Sequence, residues 1–175
     1  MYIKKMKAGV MTLVLLLSAT TMWAQNAKPS PAETATGTIN GANITIKYSS
    51  PAVKGRKIYG GLVPYDKVWR AGANEATVFT TDKKIMIGKT PLDAGSYSIY
   101  AIPGEKTWKI IFNAETGQWG TSHGGESTRV AAKDVMSIIV KSLKTPALEE
   151  RLKYEITPKG FILAWENQSV LVPIK

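Results

Sequence analysis

Beyond Thr36 the chain alternates apolar and polar positions with the period of two that a half-buried strand requires. Ile39, then Ile44, Ile46 and Tyr48, fall on one face, and Asn40-Gly41 between them is the composition of a tight hairpin turn. Short runs rich in β-branched and aromatic residues follow at residues 77–81 (TVFTT), 84–87 (KIMI), 96–102 (SYSIYAI) and 108–113 (WKIIFN). They are punctuated by Asp82-Lys83, Gly88, Asp93-Ala94-Gly95 and Pro103-Gly104. Further strands are predicted at residues 135–140 (VMSIIV) and at 152–156. Pro158-Lys159-Gly160 then turns the chain into residues 161–165, and Asn167-Gln168 turns it again into residues 169–174. No long amphipathic helical pattern interrupts this series, although Pro64 could open one helical turn within residues 61–70. The spacing predicts an all-β, antiparallel domain of about 8 to 10 short strands, a jelly-roll-like or Greek-key sandwich with a barrel as the alternative.

The segment before the first strand has a different character. Residues 27–36 (AKPSPAETAT) combine two prolines with small polar residues and cannot bury apolar area, so residues 25–35 are expected to tether a single domain over residues 36–175. Ahead of the tether, Lys4, Lys5 and Lys7 precede an apolar run of about ten residues ending at Leu17, the plan of a cleavable signal peptide. Cleavage is expected after Ala24, with the Ala19 to Thr21 region as the alternative, leaving a periplasmic or secreted product. No later run approaches the roughly 20 apolar residues that cross a bilayer. About 150 mature residues bury roughly two thirds of their unfolded surface, enough for one core without disulfides.

Composition narrows the chemistry. The full chain carries a formal net charge of +10, and removing the three signal-peptide lysines leaves +7. The lysines are scattered, with Lys83-Lys84 and Arg56-Lys57 the densest basic pairs. This is the pattern of a solvated surface, with an anionic partner as the lesser reading and nucleic acid not expected. With no cysteine and one histidine, the usual nitrogen and sulfur ligands of a zinc site cannot assemble within one chain, and no cofactor is expected. His123 lies in the glycine-rich stretch WGTSHGGES, where nothing holds its ring as a catalytic base requires, so it reads as an exposed loop residue. Glu75, Asp66, Glu126 and Glu166 lie near aromatic residues and are candidates for a glycosidase carboxylate pair, but their spacing selects no two of them.

Residues 49–77 (SSPAVKGRKIYGGLVPYDKVWRAGANEAT) depart most from the β pattern. They gather Arg56, Tyr59, Trp69, Arg70, Asn74 and Glu75 in a connection too irregular to be sheet. Such a connection either carries function or covers a core. Both readings stand: a ligand site contacted by Tyr59, Trp69 and Arg70, or a clasp in which Trp69 plugs one end of the domain while Arg70, Asn74 and Glu75 satisfy buried backbone groups or one another. Trp108 and Trp165 fall in strands and are expected in the core, whereas Trp119, opening the 120–125 loop, could stack on a sugar. The leading reading is a non-enzymatic module for a small polar or anionic ligand, a glycan or an envelope partner. The alternatives are a glycan hydrolase and a purely structural protein that recruits another chain through a sheet edge.

The stretches IYGGLVPYDKVWRAGANEAT, LDAGSYSIYAIPGEKTWKIIFN and QWG resemble the bacterial family called domain of unknown function 2911, closely over residues 44–120 and more weakly towards the C-terminus. The resemblance implies an exported protein of Gram-negative bacteria with one such domain, and it implies no catalytic residue. Where that family often carries a tyrosine-containing acidic loop after QWG, this chain has TSHGGEST, so no role is transferred to that loop.

Overall fold

The computed structural model describes residues 28–175; the expected signal segment 1–24 and residues 25–27 lie outside the described residues. Nine strands are present among the described residues, all paired antiparallel, with a single 3-10 turn at Ala131–Lys133. They are β1 (Ala32–Ile39), β2 (Ala42–Ser49), β3 (Thr77–Thr81), β4 (Ile85–Ile87), β5 (Thr90–Leu92), β6 (Gly95–Pro103), β7 (Thr107–Asn113), β8 (Asp134–Thr157) and β9 (Gly160–Pro173). Seven of them form one sheet in the order β1-β2-β3-β6-β7-β8-β9, and β4 and β5 form a separate hairpin. The expected all-β, antiparallel class is observed, and the large sheet curls into a nearly closed barrel. β1 begins at Ala32, inside the stretch read as tether, because full register with β2 extends to the pair Ala32 and Ser49.

Local sequence explains the turns. Asn40 and Gly41 take φ of 50° and 79°, the two positive values that a two-residue hairpin loop needs, and only glycine and asparagine adopt them readily. Alternation then delivers Ile44 and Ile46 of β2, Phe79 of β3, Ile99 of β6, Ile110 and Phe112 of β7 and Leu163 of β9 to one continuous core. β7 is buried on both faces: Ile111 joins Tyr100 and Ala76 in a second cluster, which Val68 and Ile102 cover.

The C-terminal hairpin differs from the sequence expectation. The stretches 135–140 and 152–156 are parts of one strand, β8, and β9 runs through Asn167-Gln168 where a turn was expected. The interruptions are bulges. Pairing of β8 with β9 passes from Lys144 opposite Gln168 directly to Glu149 opposite Glu166, which leaves residues 145–148 unpaired. Pro146, with no N–H to donate, lies in that gap. On β9 the chain turns through Glu166, at φ 56°. Fourteen extended residues span about 45 Å, yet the Ile174 N–H donates to the Lys159 carbonyl at 3.0 Å, so the two ends of β9 meet. Closure is completed where Met86 of β4 and Lys175 exchange backbone bonds of 2.8 and 2.9 Å, and where Gly37 of β1 lies against Ile156 of β8.

Candidate functional site

The irregular segment is a broken extension of β3. The Trp69 N–H donates to the Ala101 carbonyl at 2.7 Å and the Trp69 carbonyl accepts the Ala101 N–H at 2.8 Å, so Trp69 lies beside β6 two residues beyond the β3 pair of Thr77 with Ile99. Between Trp69 and Thr77 the chain loops outward and returns. This excursion uses positive φ at Ala71 (53°) and Asn74 (57°); asparagine takes such values readily, but at Ala71 they cost about 1 kcal/mol or more that the surroundings must offset. They do so through a dense set of bonds. The Ala71 carbonyl accepts from the Thr77 hydroxyl at 3.1 Å and the Tyr154 hydroxyl at 2.8 Å; the Gly72 carbonyl accepts from Trp69 Nε1. Asn74 Nδ2 donates to the Ser30 carbonyl and to Ser49 Oγ, both at 3.1 Å, and the Asn74 carbonyl accepts the Gly120 N–H.

Below this loop lies an aromatic cluster. Trp69 and Trp165 stack at 5.9 Å with 20° between their planes, and Trp108 approaches Tyr59 to 4.9 Å. Tyr59, Trp108 and Trp165 are at most 2 % exposed, and burial pushes the Tyr59 phenol well above its ordinary range. Tyr59 therefore belongs to the core and not to a contact surface.

Above the cluster opens a cleft of about 460 Å³. Its apolar wall comes from Trp69, Trp165, Pro51, Pro64 and Val68; its polar groups are Arg56, Lys67, Arg70, Asn74, Ser30 and Thr121. Every ionisable lining group is a cation, and no carboxylate, histidine or cysteine lines it. Arg56, Trp69, Arg70 and Asn74 of the sequence candidates are brought together here, while Tyr59, Glu75 and Trp119 are not. Arg56 is largely committed, donating through Nε to the Val53 carbonyl and through Nη2 to the Ala52 carbonyl.

Glu75 and Trp119 form a separate surface group. Glu75 is ion-paired with Lys28, a bond that holds its carboxyl below the usual range, and Lys28 Nζ sits 5.3 Å from the Trp119 ring centre. Of the other carboxylates, Glu166 accepts the Ile58 N–H at 3.1 Å at the β9 bend; neither it, Asp66 nor Glu126 lines the cleft. Sequence reading missed Lys67, Thr121 and Ser30 as lining residues. Lys67 was inside the segment already singled out, but Thr121 and Ser30 come from distant loops and leave no local signal.

A family model described as Protein of unknown function (DUF2911) matches residues 30–174. No curated protein and no solved structure matches the chain. The matched span includes the whole of the barrel and every residue lining the cleft, and the chain belongs to this family.

Proposed function

We propose that this domain is a non-enzymatic binding module that takes a small polar ligand in the cleft above Trp69 and Trp165. The observation that carries this reading is the lining itself: two tryptophans and three cations line one volume suited to a small molecule, within the usual 300 to 1,000 Å³ or so of ligand pockets. The same lining disfavours the glycan hydrolase, since the candidate carboxylates are elsewhere and no lining group can serve as an acid or base pair. The clasp and ligand readings of the segment are compatible. Asn74, Tyr59 and Arg56 hold the loop in place, and the side chains of Trp69 and Arg70 are thereby presented to the cleft.

Thermal unfolding of the mature protein against a panel of neutral sugars, sugar acids, sugar phosphates and small carboxylates tests the proposal. A ligand at a hundred times its Kd adds about 2.7 kcal/mol, a rise of roughly 5 to 10 °C in Tm for this size. Trp69→Phe, which keeps a ring against Trp165, is expected to weaken the response without removing it. A flat profile across the panel refutes the module and leaves the segment a clasp.

The reading includes export to the periplasm or medium, supported by the basic and apolar plan of residues 1–24. Mass spectrometry of protein recovered from the host envelope is expected to show a chain beginning at Gln25, as the free amine or as its cyclised pyroglutamyl form. Recovery of the intact chain from the cytosol contradicts it.

A further inference from the structure

The four arginines of the chain are held differently, and the difference singles out one. Arg129 is clasped by Asp134, with Nε 2.9 and 3.1 Å from the two carboxylate oxygens and Nη2 also bonded, and this pair raises the arginine and lowers the aspartate pKa. Arg56 and Arg151 donate to backbone carbonyls. Arg70 makes one hydrogen bond among the described residues, from Nη1 to the neutral Thr121 hydroxyl at 2.6 Å. Its Nε is buried without a partner, and no carboxylate lies close enough to offset its desolvation. Its stem is nevertheless fixed: a Cβ on Gly120 would come within 2.2 Å of Arg70 Cδ and 2.7 Å of Cβ, so the side chain lies directly on the Gly120 backbone.

A half-buried guanidinium held in place yet lacking an anion is costly to a fold unless something else supplies the charge. A planar fork of N–H donors matches a carboxylate or phosphoryl group in particular. Resting on the reading of the cleft as a ligand site, we propose that it is an oxyanion site: Arg70 binds a carboxylate, phosphate or sulfate group of a small organic ligand whose body lies along Trp69. Nη2, which bonds no described residue, supplies the direct contact. Thr121, already accepting from Arg70, has its own hydroxyl proton free to donate to the same group. Lys67 and the remaining Nη1 of Arg56 add positive charge at the rim of the cleft, where no carboxylate competes.

Isothermal titration with matched pairs at constant ionic strength tests this: galacturonate against galactose, glucose 6-phosphate against glucose, and benzoate against benzyl alcohol. Saturable binding is expected from one or more charged members, with the neutral partner at least roughly tenfold weaker. Which charged member binds separates carboxylate from phosphate recognition. Arg70→Gln is expected to lower that affinity tenfold to a hundredfold with unchanged far-UV dichroism, and Arg70→Lys to recover only part of it. Gly120→Ala, which retains every charge but displaces the Arg70 stem, is expected to weaken binding as well. Neutral members binding as tightly as their charged partners, or a charged ligand indifferent to Arg70→Gln, overturns the oxyanion site while leaving the cleft a ligand site. Silence from all three pairs overturns both.

Discussion

Gly160→Ala is expected to destabilise the domain by about 3 to 5 kcal/mol, combining backbone strain of about 1 to 3 kcal/mol with overpacking of similar size. Gly160 opens β9 directly after the two-residue turn at Pro158-Lys159, and its φ of 140° is one that residues with a side chain rarely adopt. A Cβ there would fall 1.9 Å from the Val172 carbonyl oxygen, 2.9 Å from the Ile174 nitrogen and 2.9 Å from the Pro173 Cα. All three are backbone atoms, so no rotamer change relieves the contact. They also lie at the far end of the same strand and just past it, where Ile174 bonds Lys159 and bridges to Ile87 of the β4 and β5 hairpin. The substitution therefore acts on the closure of the barrel. Urea titration is expected to show the loss, and thermal unfolding a fall of roughly 6 to 20 °C. Gly117→Ala is the control: its φ is 88° but nothing lies within 4 Å of the added methyl, so only the strain of about 1 to 2 kcal/mol remains. Equal effects at the two positions would mean that the contact with Val172 is absent in solution.

How much of this was legible in the sequence depends on distance along the chain. The hairpin of β1 and β2 was readable because Asn40-Gly41 and the alternation of Ile44 and Ile46 are local signals. The burial of Trp108 and Trp165 was readable for the same reason. The bend of β9 was half legible. Asn167-Gln168 looked like a turn between strands, yet the change of direction falls one residue earlier, at Glu166, and pairing with β8 on both sides absorbs it into one bulged strand. Residues 49–77 were legible as an exception to the sheet but not in their architecture. That Trp69 continues the line of β3 along β6 depends on Ala101, some thirty positions away, and no periodicity announces a strand interrupted by an outward loop. Tyr59 and Trp69 looked equivalent as aromatic candidates in one irregular stretch; that Tyr59 packs against Trp108 at 4.9 Å while Trp69 stacks on Trp165 at the cleft is a matter of contacts between distant strands. Arg70 was visible as a candidate, whereas its want of an anionic partner is a statement about every carboxylate in the fold and could only be read in three dimensions.

Trp165→Ala is expected to cost about 3 to 5 kcal/mol, the range for deleting a large buried aromatic. Trp165 is 1 % exposed, stacks on Trp69 and meets Tyr59 edge-on at 6.4 Å, so its removal takes away the support of the cleft wall together with part of the core. The effect of Trp165→Phe should be much smaller than the volume lost would suggest. The indole Nε1 of Trp165 is buried without a partner, and a phenyl ring removes that unsatisfied donor while keeping the stack on Trp69. Less than half the loss of the alanine variant is therefore expected. Because Trp165 lines the cleft, its removal leaves a ring-sized recess open to that cleft, so added indole is expected to restore part of the Tm of Trp165→Ala and none of that of Gly160→Ala. Trp119→Ala supplies the comparison for an indole outside the core: at 49 % exposed it should change stability by no more than about 0.5 kcal/mol. Denaturation of the three tryptophan variants side by side decides the matter. If Trp165→Ala costs no more than Trp119→Ala, the stacked rings do not hold the barrel, and a cleft resting on them has no fixed wall against which to orient a ligand for Arg70.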